Sequence, residues 1–157
     1  VVAHHRSTPG GTRRRSSISP PAIVHAATLA VAMLITTGTA AQIVAYRNAP
    51  GTQQATILPA ANGVPLINIQ TPSSAGVSRN VYGQFDVTPA GAILNNARNA
   101  TTSQLAGWVA GNPWLARGSA RVILNEVVAA QPSRLGGYVE VAGSAAQVVI
   151  ANPSGID

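Results

Sequence analysis

From Gln42 onward, apolar residues come in short runs, each cut off by Gly, Pro, Asn or Ser. "VPLINIQ" sets Val64, Leu66 and Asn68 on one face and Pro65, Ile67 and Ile69 on the other. "VYGQFDV" alternates Val81, Gly83, Phe85 and Val87 against Tyr82, Gln84 and Asp86. "GAILNNA", "ARVILNEV", "GYVEVAG" and "AQVVIANPSG" follow. A period of two bounded by turn residues specifies strands, and runs recurring roughly every 10 to 20 residues predict an all-β fold. Only "SQLAGWVAGN" suggests a helical turn, and Gly107 and Gly111 weaken it.

Several runs are apolar at consecutive positions, such as Val122-Ile123-Leu124 and Val148-Val149-Ile150. Strands buried on both faces have that composition. Asn closes many of them: Asn95-Asn96 after "AIL", Asn125 after "VIL", Asn152 after "VVIA". If the runs stack as successive coils, these Asn side chains line up at corners, where they bond along a ladder and tolerate a left-handed backbone. No strict repeat period emerges. The pattern leans toward a parallel β-helix and leaves a sandwich open.

Charged residues are only 9% of the chain, where an ordinary globular protein carries about 25%, so Ser, Thr, Asn, Gln and backbone must wet the surface. The net charge of +6 is unevenly placed. Arg6, Arg13, Arg14 and Arg15 stand in residues 1–41 without any acid. Beyond them, Arg47, Arg79, Arg98, Arg117, Arg121 and Arg134 are scattered singly against Asp86, Glu126, Glu140 and Asp157. A nucleic-acid binder concentrates basic residues, often beside stacking aromatics, so no nucleic-acid partner is expected. Cysteine and lysine are absent.

The first 41 residues read as an address. Arg13–Arg15 form a basic region, and Ala22–Thr36 is apolar but shorter than the roughly 20 residues of a membrane span. Small residues from Thr37 to Ala41 suit a signal peptidase. This is the pattern of a secretory signal peptide, expected to be helical. Cleavage after Ala41 would leave Gln42 as the new N-terminus and split the chain into a leader (1–41) and a mature domain (42–157). A retained anchor is the alternative. The chain opens on Val1 and stops at Asp157 within a strand-and-turn pattern, so it is expected to be a piece of a longer protein.

Catalytic chemistry is thin. His4, His5 and His25 all precede Gln42. The mature part therefore lacks a Ser-His-Asp triad, a thiol nucleophile and a His or Cys metal site. No phosphate-binding GxxxxGK[ST] loop exists. Glu140 in "YVEVAG" and Asp86 in "QFDV" are read as solvent-facing members of alternating strands, and Glu126 as a turn cap or a partner for Arg. Trp108 and Trp114 are expected to pack over an open end of the core. No enzyme activity, cofactor or metal is expected.

Two Asn-Pro steps stand out, "GWVAGNPWLARG" and "QVVIANPSGID". Asn accepts a bond from the backbone beyond it, and Pro fixes φ, so Asn112-Pro113 and Asn152-Pro153 should each nucleate a sharp turn. Gly155 supplies a positive φ if the second turn requires one.

With "QIVAYRNAPGTQQATI", "NGVPLINIQTPSSAGVSRNVYGQFDV" and "LGGYVEVAGSAAQVVIANPSGI", this order of motifs resembles the secretion domain of two-partner secretion exoproteins. That family includes filamentous haemagglutinins, haemolysins and contact-dependent growth inhibition proteins. Asn112, Pro113 and Leu115 match its "NPNL" motif, with Trp114 in place of the second Asn. Asn152, Pro153 and Gly155 match its "NPxG" motif.

The resemblance implies a right-handed parallel β-helix with capping strands. It implies Sec export and recognition of the Asn-Pro motifs by a dedicated outer-membrane barrel transporter. Folding would follow at the surface of a Gram-negative cell, and the parent would be an adhesin or a contact-dependent inhibition toxin meeting a host or neighbouring cell. A self-standing adhesin or carbohydrate-binding β-domain is the alternative.

Overall fold

The computed structural model describes residues 42–157, so the predicted leader, its helical character and the Ala41 side of the cleavage step lie outside the described residues. Ten strands follow in order: β1 (Ile43–Ala45), β2 (Thr56–Pro59), β3 (Pro65–Asn68), β4 (Val77–Phe85), β5 (Ala92–Asn96), β6 (Thr101–Ser103), β7 (Gly107–Val109), β8 (Val122–Val127), β9 (Val139–Gly143) and β10 (Gln147–Ala151). Single 3-10 turns occupy Gly51–Gln53 and Pro113–Leu115. "SQLAGWVAGN" forms no helical turn. It makes the antiparallel β6–β7 hairpin, in which Gly107 at φ +67° takes a conformation that disfavours other residues.

Apart from the β6–β7 hairpin, the strands lie in two sheets, ordered β1-β4-β8-β10 and β2-β3-β5-β9, and from β3 onward successive passes cross between them. Within them β4, β8 and β10 pair in parallel, as do β3, β5 and β9. β1 and β2 pair antiparallel with β4 and β3 and close the first edge of each sheet. A chain that crosses from sheet to sheet and returns parallel to its previous pass fits a β-helix, whereas a sandwich of hairpins would pair its neighbours antiparallel. The β6–β7 hairpin and the Asn112 turn lengthen the middle pass, so the sequence shows no fixed period.

Both faces of the central strands β3 and β5 are apolar because both are covered. Ile67 and Leu94 point into the main core with Ile69, Tyr82, Phe85, Leu115, Ile123 and Val127. Leu66, Ile93 and Ala142 face the other way, under Leu105, Ala106 and Val109 of the hairpin segment. The consecutive apolar residues of "PLIN" and "AIL" follow from that double burial.

The alternation expected of "VYGQFDV" breaks in the middle. Opposite it, Val44 pairs with Gln84 but Ala45 pairs with Tyr82, leaving Gly83 as the extra residue of a bulge. Tyr82 and Phe85 therefore share the core face, their rings edge to face at 4.9 Å between centroids.

Pairing also reveals a short repeat. Val77, Val122 and Gln147 are in register, and three residues ahead of each stands a Ser followed by Ala: Ser74-Ala75, Ser119-Ala120 and Ser144-Ala145. The Ser144 hydroxyl donates to the Ser119 hydroxyl at 3.1 Å across adjacent passes.

Candidate functional site: two asparagine-proline turns

The two turns are built alike. In each, the Asn side-chain oxygen accepts from the backbone two residues on: Trp114 N at 3.0 Å for Asn112, Ser154 N at 2.9 Å for Asn152. Pro113 and Pro153 stand between, where a missing N–H is no loss because nothing would bond to it. Gly155 takes φ +106° and donates to the Asn152 carbonyl at 3.0 Å. Because the first turn's bond comes from the Trp114 backbone, the Trp side chain in place of Asn leaves it intact.

Their anchoring differs. Asn112 is buried, and its amide donates to Ile69 O at 2.8 Å and to Asn95 O at 2.9 Å. Its backbone N–H bonds Ala97 O at 2.8 Å. One side chain thus ties the ends of two stacked passes to the turn, and Leu115, fully buried, drops into the core beside it. Asn152 is half-buried and donates to Gln131 O at 3.0 Å and Ser133 Oγ at 3.1 Å. Ser154 Oγ adds a bond to Ala129 O at 3.0 Å. The second turn is fastened to the 129–135 loop rather than to the strand stack, and the two turns share no hydrogen bond.

A wider asparagine network surrounds the first turn. Asn95 donates to Asn68 Oδ1 at 2.8 Å, one rung of the expected ladder, and to Ala110 O at 2.9 Å. Asn96 bonds Ala120 O at 2.9 Å and Ser144 O at 2.8 Å, and accepts from Ala120 N at 2.7 Å. Asn125 accepts from the buried Tyr82 hydroxyl at 3.1 Å, and burial pushes that phenol's pKa up. Among the described residues, every buried side-chain polar atom has a partner. Asn95 and Asn96 end β5, as expected of corner positions, whereas Asn125 lies inside β8 in register with Ile150. Asn96 also reaches backbone in two further segments, and contacts that distant leave no local signal in the sequence.

Two acidic residues correct the sequence expectation. Glu140 does not face solvent. It stands in the same column as Leu66 and Ile93 under the hairpin, only 6% exposed. Its carboxylate accepts from Ser103 Oγ at 2.8 Å, Gln104 N at 2.8 Å and Leu105 N at 3.0 Å. Asp86 is half-buried and accepts from Arg134 N at 2.8 Å and Gln84 Nε2 at 2.6 Å. Glu126 pairs with Arg79 at 2.7 Å. The tryptophans do not cover an open core: Trp108 is 71% exposed and Trp114 43%.

The family described as "TPS secretion domain" matches residues 41–157. The chain belongs to this family. As a TPS secretion domain it is 57% identical over 154 residues to the "Toxin CdiA" of Yersinia pestis, covering 94% of this chain and 4% of that protein. It is 46% identical over 132 residues to the "Hemolysin" of Serratia marcescens, covering 83% of this chain and 8% of that protein. The crystal structure of a filamentous hemagglutinin secretion domain superposes with a TM-score of 0.65 at 39% identity, over 73% of this chain and 36% of that one. This TPS secretion domain spans only a small fraction of the length of the curated relatives it matches.

Proposed function

We propose that residues 42–157 are the segment by which a large exoprotein is led across the outer membrane through a dedicated barrel transporter of the two-partner type, and that this segment coils first outside. The leader would pass the chain to the Sec machinery and be cut by signal peptidase between Ala41 and Gln42. The transporter would meet the chain unfolded, with Asn112, Pro113, Leu115, Asn152, Pro153 and Gly155 as its recognition and turn motifs.

The observation that carries this reading is the Asn112 side chain. Its bonds to Ile69 and Asn95 join segments far apart in sequence, so they exist only once two passes have stacked. Before stacking, the Asn112-Pro113 step is an open turn with unpaired backbone around it, which a partner's sheet edge can take up. After stacking it is sealed, and burial of the core opposes backsliding.

In this reading the coil is a right-handed β-helix capped by β1 and β2, and the domain itself is not an enzyme. The parent is a surface or secreted protein of a Gram-negative bacterium, either a haemagglutinin-like adhesin or a contact-dependent inhibition toxin. Host-cell or neighbouring-cell contact would fall to the rest of that protein.

The test is export of the chain from cells with and without the cognate barrel, combined with N-terminal sequencing of the product. Transporter-dependent release of a product beginning at Gln42 is expected. Equal release without the barrel would overturn the assignment. The exposed Trp108 favours a second reading, an adhesin platform that stacks on sugar rings. Glycan binding by the purified chain that is lost in Trp108→Ala would support that reading.

A further inference from the structure

The Ser-Ala turns ahead of β4 and β8 frame a surface that takes no part in either Asn-Pro turn. Between the turn that precedes β4 and the turn that precedes β8 lies a groove of about 530 Å3, lined by Ser73, Ser74, Gly76, Arg117, Ser119 and Arg121 among others. The arginines are scattered in sequence, but the fold gathers two of them here with three serine hydroxyls.

Arg121 is held in place by its surroundings. Arg121 donates from Nη2 to Ala75 O at 2.8 Å and lies across Gly76. Gly76 takes φ +76°, a backbone conformation that disfavours a side chain, and a Cβ there would stand 2.6 Å from Arg121 Nε and push that side chain aside. Just ahead of Arg117, the backbone is pinned by Arg98, which donates to Leu115 O at 3.2 Å and Ala116 O at 3.1 Å. Arg121 is therefore a cationic donor whose ordering cost was met during folding, the condition under which a guanidinium binds an anion well, and the exposed Arg117 lines the same groove from a fixed backbone.

No carboxylate competes for them. Among the described residues the one ion pair joins Arg79 to Glu126, Glu140 is clasped by the hairpin, Asp86 bonds Arg134 N, and no acidic residue lines the groove. No aromatic residue lines it either, which argues against a single-stranded nucleic acid that would need stacking.

We propose that this groove binds a phosphate-type oxyanion carried on a larger group, with Arg121 and Arg117 supplying charge-assisted bonds and the serine hydroxyls the remainder. A planar carboxylate is satisfied by one guanidinium fork. Donors arriving from two successive passes suit a tetrahedral group with oxygens on several sides. The volume leaves space for whatever carries the anion, a lipid headgroup or a soluble phosphate ester.

The experiment uses the folded, isotope-labelled chain. Inorganic phosphate is titrated against chloride at constant ionic strength while the amide signals of Gly76, Gly118 and Ser119 and the Arg121 Nε–H signal are followed. Saturable shifts confined to these signals are expected. Arg117→Gln with Arg121→Gln should weaken binding by about tenfold or more, while Arg47→Gln, outside the groove, leaves it unchanged. All three arginines are exposed, and signal dispersion confirms that each variant folds. Arg117→Gln alone serves if the double variant does not. Shifts that never saturate, or that survive loss of both arginines, overturn the site. In a second arm, vesicles containing phosphatidylglycerol are compared with pure phosphatidylcholine. Arginine-dependent binding to the former assigns the oxyanion to a lipid headgroup. Saturable phosphate binding without vesicle binding assigns it to a soluble ester, and failure of both arms disproves the proposal.

Discussion

Glu140 and Ser103 meet at 2.8 Å beneath the β6–β7 hairpin, and that bond helps hold the hairpin over the outer face of the β2-β3-β5-β9 sheet. Ser103 in turn accepts from Leu105 N and Ala106 N, each at 3.1 Å, so the carboxylate and the hydroxyl together fix the hairpin's tip. Replacing Glu140 by Ala leaves a buried hydroxyl and the Gln104 N–H without their acceptor. Bonds to a charged group are worth about 1.5–3 kcal/mol and an orphaned donor costs about 1–3, so Glu140→Ala should destabilise the domain by about 3 kcal/mol. Glu140→Gln, which retains one acceptor, should cost less. Urea unfolding measures both. Hydrogen exchange should show the Gln104 and Leu105 amides losing protection first, and equal protection in wild type and Glu140→Ala would refute the clasp.

The two Asn-Pro turns should differ in what they contribute to the folded state. Asn112→Ala removes the bond from Trp114 N and strips two buried carbonyls, Ile69 O and Asn95 O, of a donor. Asn152→Ala removes comparable bonds at a half-buried site, where water replaces them. A loss of about 3 kcal/mol is expected for the first and about 1 kcal/mol for the second. Equilibrium unfolding of the two variants checks the order, and an equal or reversed order would mean that burial does not distinguish them.

Trp114 is where the first turn departs from the family motif. Its backbone N–H makes the turn bond, and its indole makes an exposed bond to Thr56 Oγ1 at 3.2 Å. Trp114→Asn should therefore change stability by less than about 1 kcal/mol, the size of one exposed neutral bond. Secretion of this variant should match wild type. A sharp drop in export with unchanged stability would instead show that the indole is read directly by a partner.

Local patterns in the sequence carried the strand content, the double burial of "AIL", the two turns and the asparagines that end β5, because each depends on residues a few positions apart. "VIL" and "VVI" share that composition, yet neither run is buried on both faces: only Ile123 of the first is buried, and Val148, Val149 and Ile150 are all half-buried, because among the described residues no segment covers the outer face of their sheet. What it did not carry depends on partners far along the chain. Glu140 alternates in "YVEVAG" like any surface residue, and only the hairpin folding over it makes it buried. Tyr82 and Phe85 lie three apart and looked like opposite faces until the Gly83 bulge put them together. The Ser-Ala repeat is spaced irregularly because the passes differ in length, so it becomes visible only in the strand register. Export rested on the order of whole motifs, for which no single residue substitutes.

Tyr82 gives a prediction about alkaline stability. Its hydroxyl is fully buried and donates to Asn125 Oδ1, and burial raises its pKa because the phenolate would be stranded away from water. In the unfolded chain the phenol ionises near pH 10. Its contribution is therefore complete below that pH. As pH rises further, the unfolded state releases a proton that the folded state keeps, and stability falls by about 1.4 kcal/mol per pH unit for this one group. Tyr82→Phe should cost about 1–2 kcal/mol at neutral pH, since Asn125 loses a buried donor. Above pH 10 the variant should lose stability less steeply than wild type, so the two curves of unfolding free energy converge. Parallel curves up to pH 11 would show that the phenol ionises as readily in the core as in water, and that the Tyr82–Asn125 bond does not hold the proton in place.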